Sequence, residues 1–156
     1  MFDLGDRVCY PMFGIGIIEG IEKRQVLGEW EEYYILQFLH DRMTVFVPVK
    51  KAEDAGLRYL ADREDCLQVI RQLTDPPAME GNANWNKRYR ENLDKLRRGD
   101  IFSTADVVQS LAWRERERGL SSGERRMYLT ARRVLIEELT LSGSGEEREL
   151  LSLLED

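Results

Sequence analysis

Glu32-Tyr33-Tyr34-Ile35-Leu36-Gln37-Phe38-Leu39, followed by His40-Asp41-Arg42 and Met43-Thr44-Val45-Phe46-Val47-Pro48, is the stretch that decides the fold. Both runs are rich in aromatic and β-branched residues, and a polar turn joins them, which reads as a β-hairpin. Side chains alternate along a strand. Tyr34, Leu36 and Phe38 therefore share one face of the first strand, and Tyr33 and Ile35 the other. In the second strand Met43, Val45 and Val47 are expected to face a core, which turns Thr44 and Phe46 outward. Apolar residues on both faces call for a second cover. The helical remainder of the chain and a partner protein are both open as that cover.

Upstream, Gly5-Asp6 leads into Arg7-Val8-Cys9-Tyr10, and Gly14 and Gly16 break the chain before Ile17-Ile18. Short strands joined by Gly and Asp turns indicate a small twisted β-barrel. Ala52-Glu53-Asp54-Ala55-Gly56 fits one helical turn. From about residue 63 the period changes to 3.6. A connecting helix over 63–73 is expected to bury Leu67, Ile70 and Leu73, and Asp75-Pro76-Pro77 stops it before a polar loop to Asn84. Further helices are expected from Trp85 to Arg98, after Ser103, from Ser121 to about Leu141, and from Ser144. The last two have capping boxes with Glu124 and Glu147. The fold class is thus α+β, a small N-terminal barrel over 1–60 followed by a compact all-α domain over 61–156.

A chain of 156 residues with 42% hydrophobic and 33% charged residues can bury a core, so wholesale disorder is excluded. No apolar run is long enough to span a membrane, and Met1–Asp6 does not resemble a signal peptide. Cys9 and Cys66 have no metal-ligand spacing and read as buried thiols of a reducing cytosol. With His40 as the one histidine, no metal site, cofactor or Ser-His-Asp chemistry is expected. The glycines of Gly14–Gly20 miss the G-x-G-x-x-G spacing and lack a P-loop Lys. Nothing places Glu31-Glu32 or Glu137-Glu138 across a cleft. The chain is not expected to be an enzyme.

The net charge of −6 hides a split. Residues 1–75 carry 9 basic and 14 acidic side chains, residues 85–133 carry 13 basic and 7 acidic, and residues 141–156 carry 1 basic and 5 acidic. A basic middle between acidic ends suits a surface for an anion such as nucleic acid, and also a set of solvated helix faces. Within it, Asn84-Trp85-Asn86-Lys87-Arg88-Tyr89-Arg90 sets an aromatic ring among cations. That arrangement grips phosphates while the ring stacks on or wedges between bases. The competing reading completes an apolar stripe of Trp85, Tyr89, Leu93 and Leu96. Arg125 and Arg132 share the helix face opposite Met127, Ala131, Val134 and Leu135, with Arg125 near a helix N-terminus that favours a phosphate. The run Arg114–Arg118 reads as a solvated face.

Gly5-Asp6-Arg7-Val8-Cys9-Tyr10-Pro11 with Gly14-Ile15-Gly16, Met43–Val49, Ala52–Arg58, Asn84-Trp85 with Arg88-Tyr89, Asn92-Leu93 and Lys95-Leu96, and Gly119–Met127 occur in order over residues 1–140. Together they resemble the CarD/CdnL family of bacterial transcription regulators. The resemblance implies a Tudor-like (SH3-like) barrel that binds the RNA polymerase β subunit, then a helical domain that touches promoter DNA. It implies that Trp85 wedges into the minor groove at the upstream edge of the melted −10 region. It places Lys87, Arg90 and Arg125 near the DNA backbone, with Arg88 beside them, and Arg24 and Phe46 on the polymerase side. Phe46 replaces an Arg or Met of relatives, and Cys9 stands where Val is usual. No counterpart to Trp113 is recognised. A cytoplasmic monomer associated with the nucleoid through polymerase is expected, binding free DNA weakly because its net charge is negative. A protein-interaction adaptor whose helical half binds another protein is the alternative.

Overall fold

The computed structural model describes residues 1–75 and 84–155. Among them the element order is β1 (Arg7–Tyr10), β2 (Gly14–Val26), β3 (Glu29–Phe38), β4 (Thr44–Pro48), a 3-10 turn (Val49–Lys51) and β5 (Arg58–Tyr59). Then come α1 (Arg63–Thr74), α2 (Trp85–Arg97), α3 (Ile101–Glu117), α4 (Ser122–Leu141) and α5 (Glu147–Glu155). The strands form one antiparallel sheet of order β4-β3-β2-β1-β5. The class is α+β, with the expected Tudor-like N-terminal module and a helical C-terminal one.

The hairpin folds on the expected face. Tyr34, Leu36 and Phe38 are buried with Val8, Ile18 and Val47 in the barrel core. Ile35 pairs with Phe46 on the opposite face. Met43 departs from expectation and is exposed. The turn still holds it: Arg42 is left-handed (φ +60°), and the Met43 N–H donates to Asp41 Oδ1 at 3.0 Å. The alternation therefore starts one residue later, at Thr44. The helical turn also comes earlier than expected, at Val49–Lys51.

A β-bulge shapes β2. Ile18 pairs with Leu36, but the next pair is Gly20 with Ile35, so Glu19 is the extra residue. A one-residue slip moves every later side chain to the opposite face. Beyond it, Gly20, Glu22 and Arg24 share the outer face with Ile35 and Phe46.

The helices pack around a second core that includes Cys66, Val69, Leu73, Leu96, Val108, Leu111, Ala131 and Leu139. In α1 the buried row is Cys66, Val69 and Leu73, with Ile70 at its margin. Leu67 lies on the exposed side, contrary to expectation. α1 does end at Asp75, whose N–H donates to the Gln72 carbonyl; Pro76-Pro77 and the rest of the expected loop up to Ala83 lie outside the described residues. α3 starts before Ser103, because Asp100 follows the left-handed Gly99 (φ +81°) directly and caps the helix through the Ser103 N–H at 2.7 Å. Ser121 and Glu124 cap α4 as expected. The Ser144 box does not form: Ser144 Oγ bonds Ser142 Oγ, and the Glu146 carbonyl accepts the first turn's N–H from Leu150. Cys9 and Cys66 are buried free thiols.

α4 joins the two cores. Its Val134 packs on Cys9 and Ile15, on the face of β1 and β2 that points away from the barrel core. The helical half is thus the second cover for β1 and β2, but Phe46 on β4 stays 41% exposed. Polar ties surround the seam. Glu137 Oε1 accepts the Ile15 N–H at 2.9 Å, and the Arg133 guanidinium donates to the Phe13 carbonyl at 3.2 Å. Buried Glu138 takes both Arg58 Nη groups, at 2.6 and 2.9 Å, and the Ala61 N–H at 2.7 Å. Arg58 also donates through Nε to the Gly99 carbonyl. Burial is the largest influence on Arg58 and would lower its pKa, but the hydrogen bonds to Glu138 together with the charges of its acidic neighbours outweigh it and hold the pKa above the ordinary value. Burial likewise pushes the Cys9 thiol up to about 12, against the pull of Arg58, so it stays protonated. Gly56 and Gly99, both at positive φ, let the two modules touch backbone to backbone. A Cβ on Gly99 would lie 2.9 Å from the Gly56 carbonyl oxygen.

Candidate functional site

The start of α2 is built from below. Asn84 caps it, its Oδ1 accepting N–H groups from Asn86 at 3.0 Å and Lys87 at 3.4 Å. Trp85, the first helical residue, is 53% exposed. It does not complete the apolar stripe, because side chains at a helix start lean back toward the N-terminus, beyond the core. Arg88, Asn92 and Leu96 fill the buried row, with Tyr89 and Leu93 partly buried beside it.

Arg88 therefore departs from expectation. Its expected place beside DNA is incompatible with its position, 4% exposed and bound through Nε and Nη2 to both carboxylate oxygens of Glu124 at 2.7 and 2.9 Å. A guanidinium that sits in the core with its fork filled does not reach a phosphate. Glu124 is itself 1% exposed and belongs to the α4 capping box. The bonds from Arg88 hold its carboxyl below the ordinary carboxylate range, burial pushing the other way. One bidentate pair thus ties the first turn of α2, one helical turn on from Trp85, to the first turn of α4.

The remaining cations differ in availability. Lys87 and Arg90 are exposed, lie three residues apart on one helix face, and have no ion-pair partner among the described residues. Arg125 is also exposed, but its Nη2 already holds Glu115 at 2.6 Å. The expected solvated run of Arg114–Arg118 thus supplies Arg125 with its partner. Arg132 lies over the Tyr128 ring, 5.2 Å from its centroid.

On the barrel, the structure brings Arg24 and Phe46 together. The guanidinium carbon of Arg24 lies 4.1 Å from the centre of the Phe46 ring, and its Nε and Nη2 each contact Glu22 at 3.1 Å. Tyr33 and Ile35, half-buried on the same outer face, flank the pair. The bulge at Glu19 puts Arg24 on this face. Sequence reasoning missed the bulge and the role of Glu124. Gly20 inside a strand pattern is the signal for the first. For the second, the signal is Arg88 and Asn92 at four-residue steps before Leu96.

Among the described residues there is no cluster of potential metal ligands and no helix long and apolar enough to cross a membrane. Comparison with known proteins gives matches over both modules. Residues 2–60 match the CarD-like/TRCF RID domain, and residues 68–155 match the CarD C-terminal domain. The chain is 33% identical over 152 residues to the "Putative transcription factor YdeB" of Bacillus subtilis (strain 168), covering 97% of this chain and 99% of that protein. It is also similar to a solved structure, CdnLNt from Myxoccoccus xanthus, at 35% identity with a TM-score of 0.34, covering 38% of this chain and 84% of that one.

Proposed function

This chain belongs to the CarD/CdnL family of transcription-related, RNA polymerase-interacting factors, and from that premise we propose that it stabilises the promoter open complex while held on the polymerase β subunit. In this reading residues 1–60 are the polymerase-facing unit and residues 61–156 the DNA-facing unit. The observation that carries it is an exposed Trp85 one helical turn before a buried Arg88–Glu124 pair, with Lys87 and Arg90 exposed beside it and without an ion-pair partner among the described residues. An aromatic that enters an unstacked base step needs a rigid base and flanking cations. The adaptor alternative needs an apolar, uncharged surface around Trp85, and the exposed neighbours Lys87 and Arg90 are cations.

The outer barrel face supplies the tether, with Phe46 as anchor and Arg24 lying on its ring. Tethering raises the effective concentration of the α2 start near one DNA segment, which offsets the poor affinity of a chain of net charge −6 for free DNA. Specificity then follows from where polymerase stands and from the widened groove at the upstream edge of the −10 bubble. A ring that stacks only in the open state contributes about 1–3 kcal/mol to that state, roughly 5- to 150-fold in the closed–open equilibrium. Lys87 and Arg90 contact phosphates. Arg125 joins them by exchanging Glu115 for a phosphate, and Arg88 acts through Trp85. The chain works as a monomer.

The deciding experiment measures open-complex lifetime on purified polymerase with wild-type and Trp85→Ala protein, alongside a calorimetric titration of β-subunit fragments. The reading expects a shorter lifetime and unchanged β-fragment affinity. An unchanged lifetime with saturating bound protein overturns it.

A further inference from the structure

A cleft of about 700 Å³ opens at the seam between the barrel and the helices. It is separate from both sites above: Trp85, Lys87, Arg90, Arg24 and Phe46 do not line it. Its volume lies within the range of about 300–1,000 Å³ typical of small-molecule sites, which favour domain junctions. Met12 and Phe13 line it from the barrel side, and Leu96 and Met127 from the helical side. Phe13 is exposed and stacks on Tyr10, with ring centres 4.9 Å apart at 29°, so a flat aromatic surface is already formed. Met12 holds φ +71°, an uncommon conformation for a residue with a side chain and one that clusters at binding sites. Methionines on both walls make the surface adaptable.

The rim is charged. Arg97 and Arg126 are exposed, line the cleft and have no ion-pair partner among the described residues. Asp54 is the acidic group on the opposite side. Arg58 and Glu138 also line the cleft, but each satisfies the other. Two unpaired guanidiniums against one carboxylate leave a positive rim over an apolar floor. We propose that this cleft is a binding site for a small amphipathic anion, with a planar apolar body between the methionines and Phe13 and an acidic head on Arg97 and Arg126. A ligand seated there touches both modules at once.

The test uses the full chain and two probes that share an anilinonaphthalene body, the anionic 8-anilinonaphthalene-1-sulfonate and the neutral N-phenyl-1-naphthylamine, which lacks the sulfonate group. Fluorescence and calorimetry should show one saturable sulfonate site per folded chain and weaker binding of the neutral probe. Reversing the rim with Arg97→Glu and Arg126→Glu together should weaken sulfonate binding by about tenfold or more while sparing the neutral probe, because two charge-assisted contacts are lost. Thr130→Trp, which places a ring in the cleft, should weaken both probes. Thermal melting establishes that each variant is folded; should Thr130→Trp unfold, the exposed Arg pair decides alone. Absence of saturable binding, equal affinity for the two probes, or binding that survives the Arg reversal overturns the proposal. So does a loss in Phe46→Ala as large as in the rim variant, since that places the probe on the barrel face.

Discussion

The outer barrel face and the start of α2 each combine one aromatic ring with one arginine, and they use burial in opposite ways. On the barrel, Arg24 lies over Phe46 at the surface, and both remain partly solvated. At α2, Arg88 is buried in the core one helical turn from Trp85, and only the ring is out. The first arrangement is adjustable: a long side chain on a ring can swing aside as a partner docks, at the modest strength of an exposed cation–π contact. The second is fixed, because both partners of a buried bidentate pair lose heavily if they separate. On the proposed function, the contrast separates a surface to be covered by protein from a point that holds its geometry under load.

The largest expected effect attacks the rigid side. Glu124→Ala leaves Arg88 buried without its partner and should cost about 3–5 kcal/mol of folding stability, read from denaturant midpoints. Replacing both partners by apolar residues, Arg88→Met with Glu124→Leu, should recover most of that loss. If the recovered protein also keeps wild-type open-complex lifetime, the pair has no positioning effect on Trp85 and the contrast with the barrel disappears.

Acid provides a second route to the same pair. The carboxyl of Glu124 is held below its ordinary value, so its contribution is complete above the unfolded carboxylate pKa of about 4.3. That contribution is lost as pH falls through the lowered folded value. Wild type should therefore lose more stability than Glu124→Gln between neutral pH and pH of about 3, and parallel pH profiles would contradict the assignment.

The two aromatic rings come next, and they should exchange phenotypes. Phe46→Ala should weaken β-fragment binding by about 1–3 kcal/mol in calorimetry and leave open-complex decay per bound protein unaltered. Trp85→Ala should speed that decay by roughly 5- to 150-fold. It should shift folding stability by about 0.5 kcal/mol or less, where a core tryptophan would lose about 3–5 kcal/mol. A strongly lowered melting temperature for Trp85→Ala would return this residue to the core and erase the difference.

The smallest effects concern salt. Lys87→Ala and Arg90→Ala should each reduce the salt slope of ternary-complex stability by about one phosphate unit. Arg125→Ala should reduce it by less, since its cation is already paired with Glu115. A full unit for Arg125 would mean that the Glu115 contact opens completely on DNA.

The residues that were legible in the sequence are those whose cause is local. The hairpin followed from alternation and a polar turn, the start of α4 from Ser121 and Glu124, and the face of α4 from four apolar residues at helical spacing. What escaped depends on partners distant in the chain. Arg88 occupies a core position because an acid 36 residues away fills its fork, and a periodicity built on apolar residues counts such a position as surface. Glu19 forms a bulge because two strands pair out of step, and within β2 Gly20 marks the place while the partner strand sets the register. Leu67 and Met43 were misread for a simpler reason: each is apolar, but its neighbours Cys66 and Val69, or Val45 and Val47, are the residues that found a core. The pattern alone leaves the exposure of Trp85 open, since the first turn of a helix belongs to the stripe in sequence and to the solvent in space.

α4 carries a consequence of its own. Glu124 at its beginning grips α2, while Arg133, Glu137 and Glu138 near its end grip the barrel. The helix is thus a ruler: its 20 residues give about 30 Å of length, of which about 14–21 Å separates the two grips. Rulers of this kind tolerate substitution along their exposed edge but not a change in count. One residue added between the grips turns one end against the other by about 100° and lengthens the ruler by about 1.5 Å. The tryptophan would then point elsewhere, although every side chain that holds it were still present.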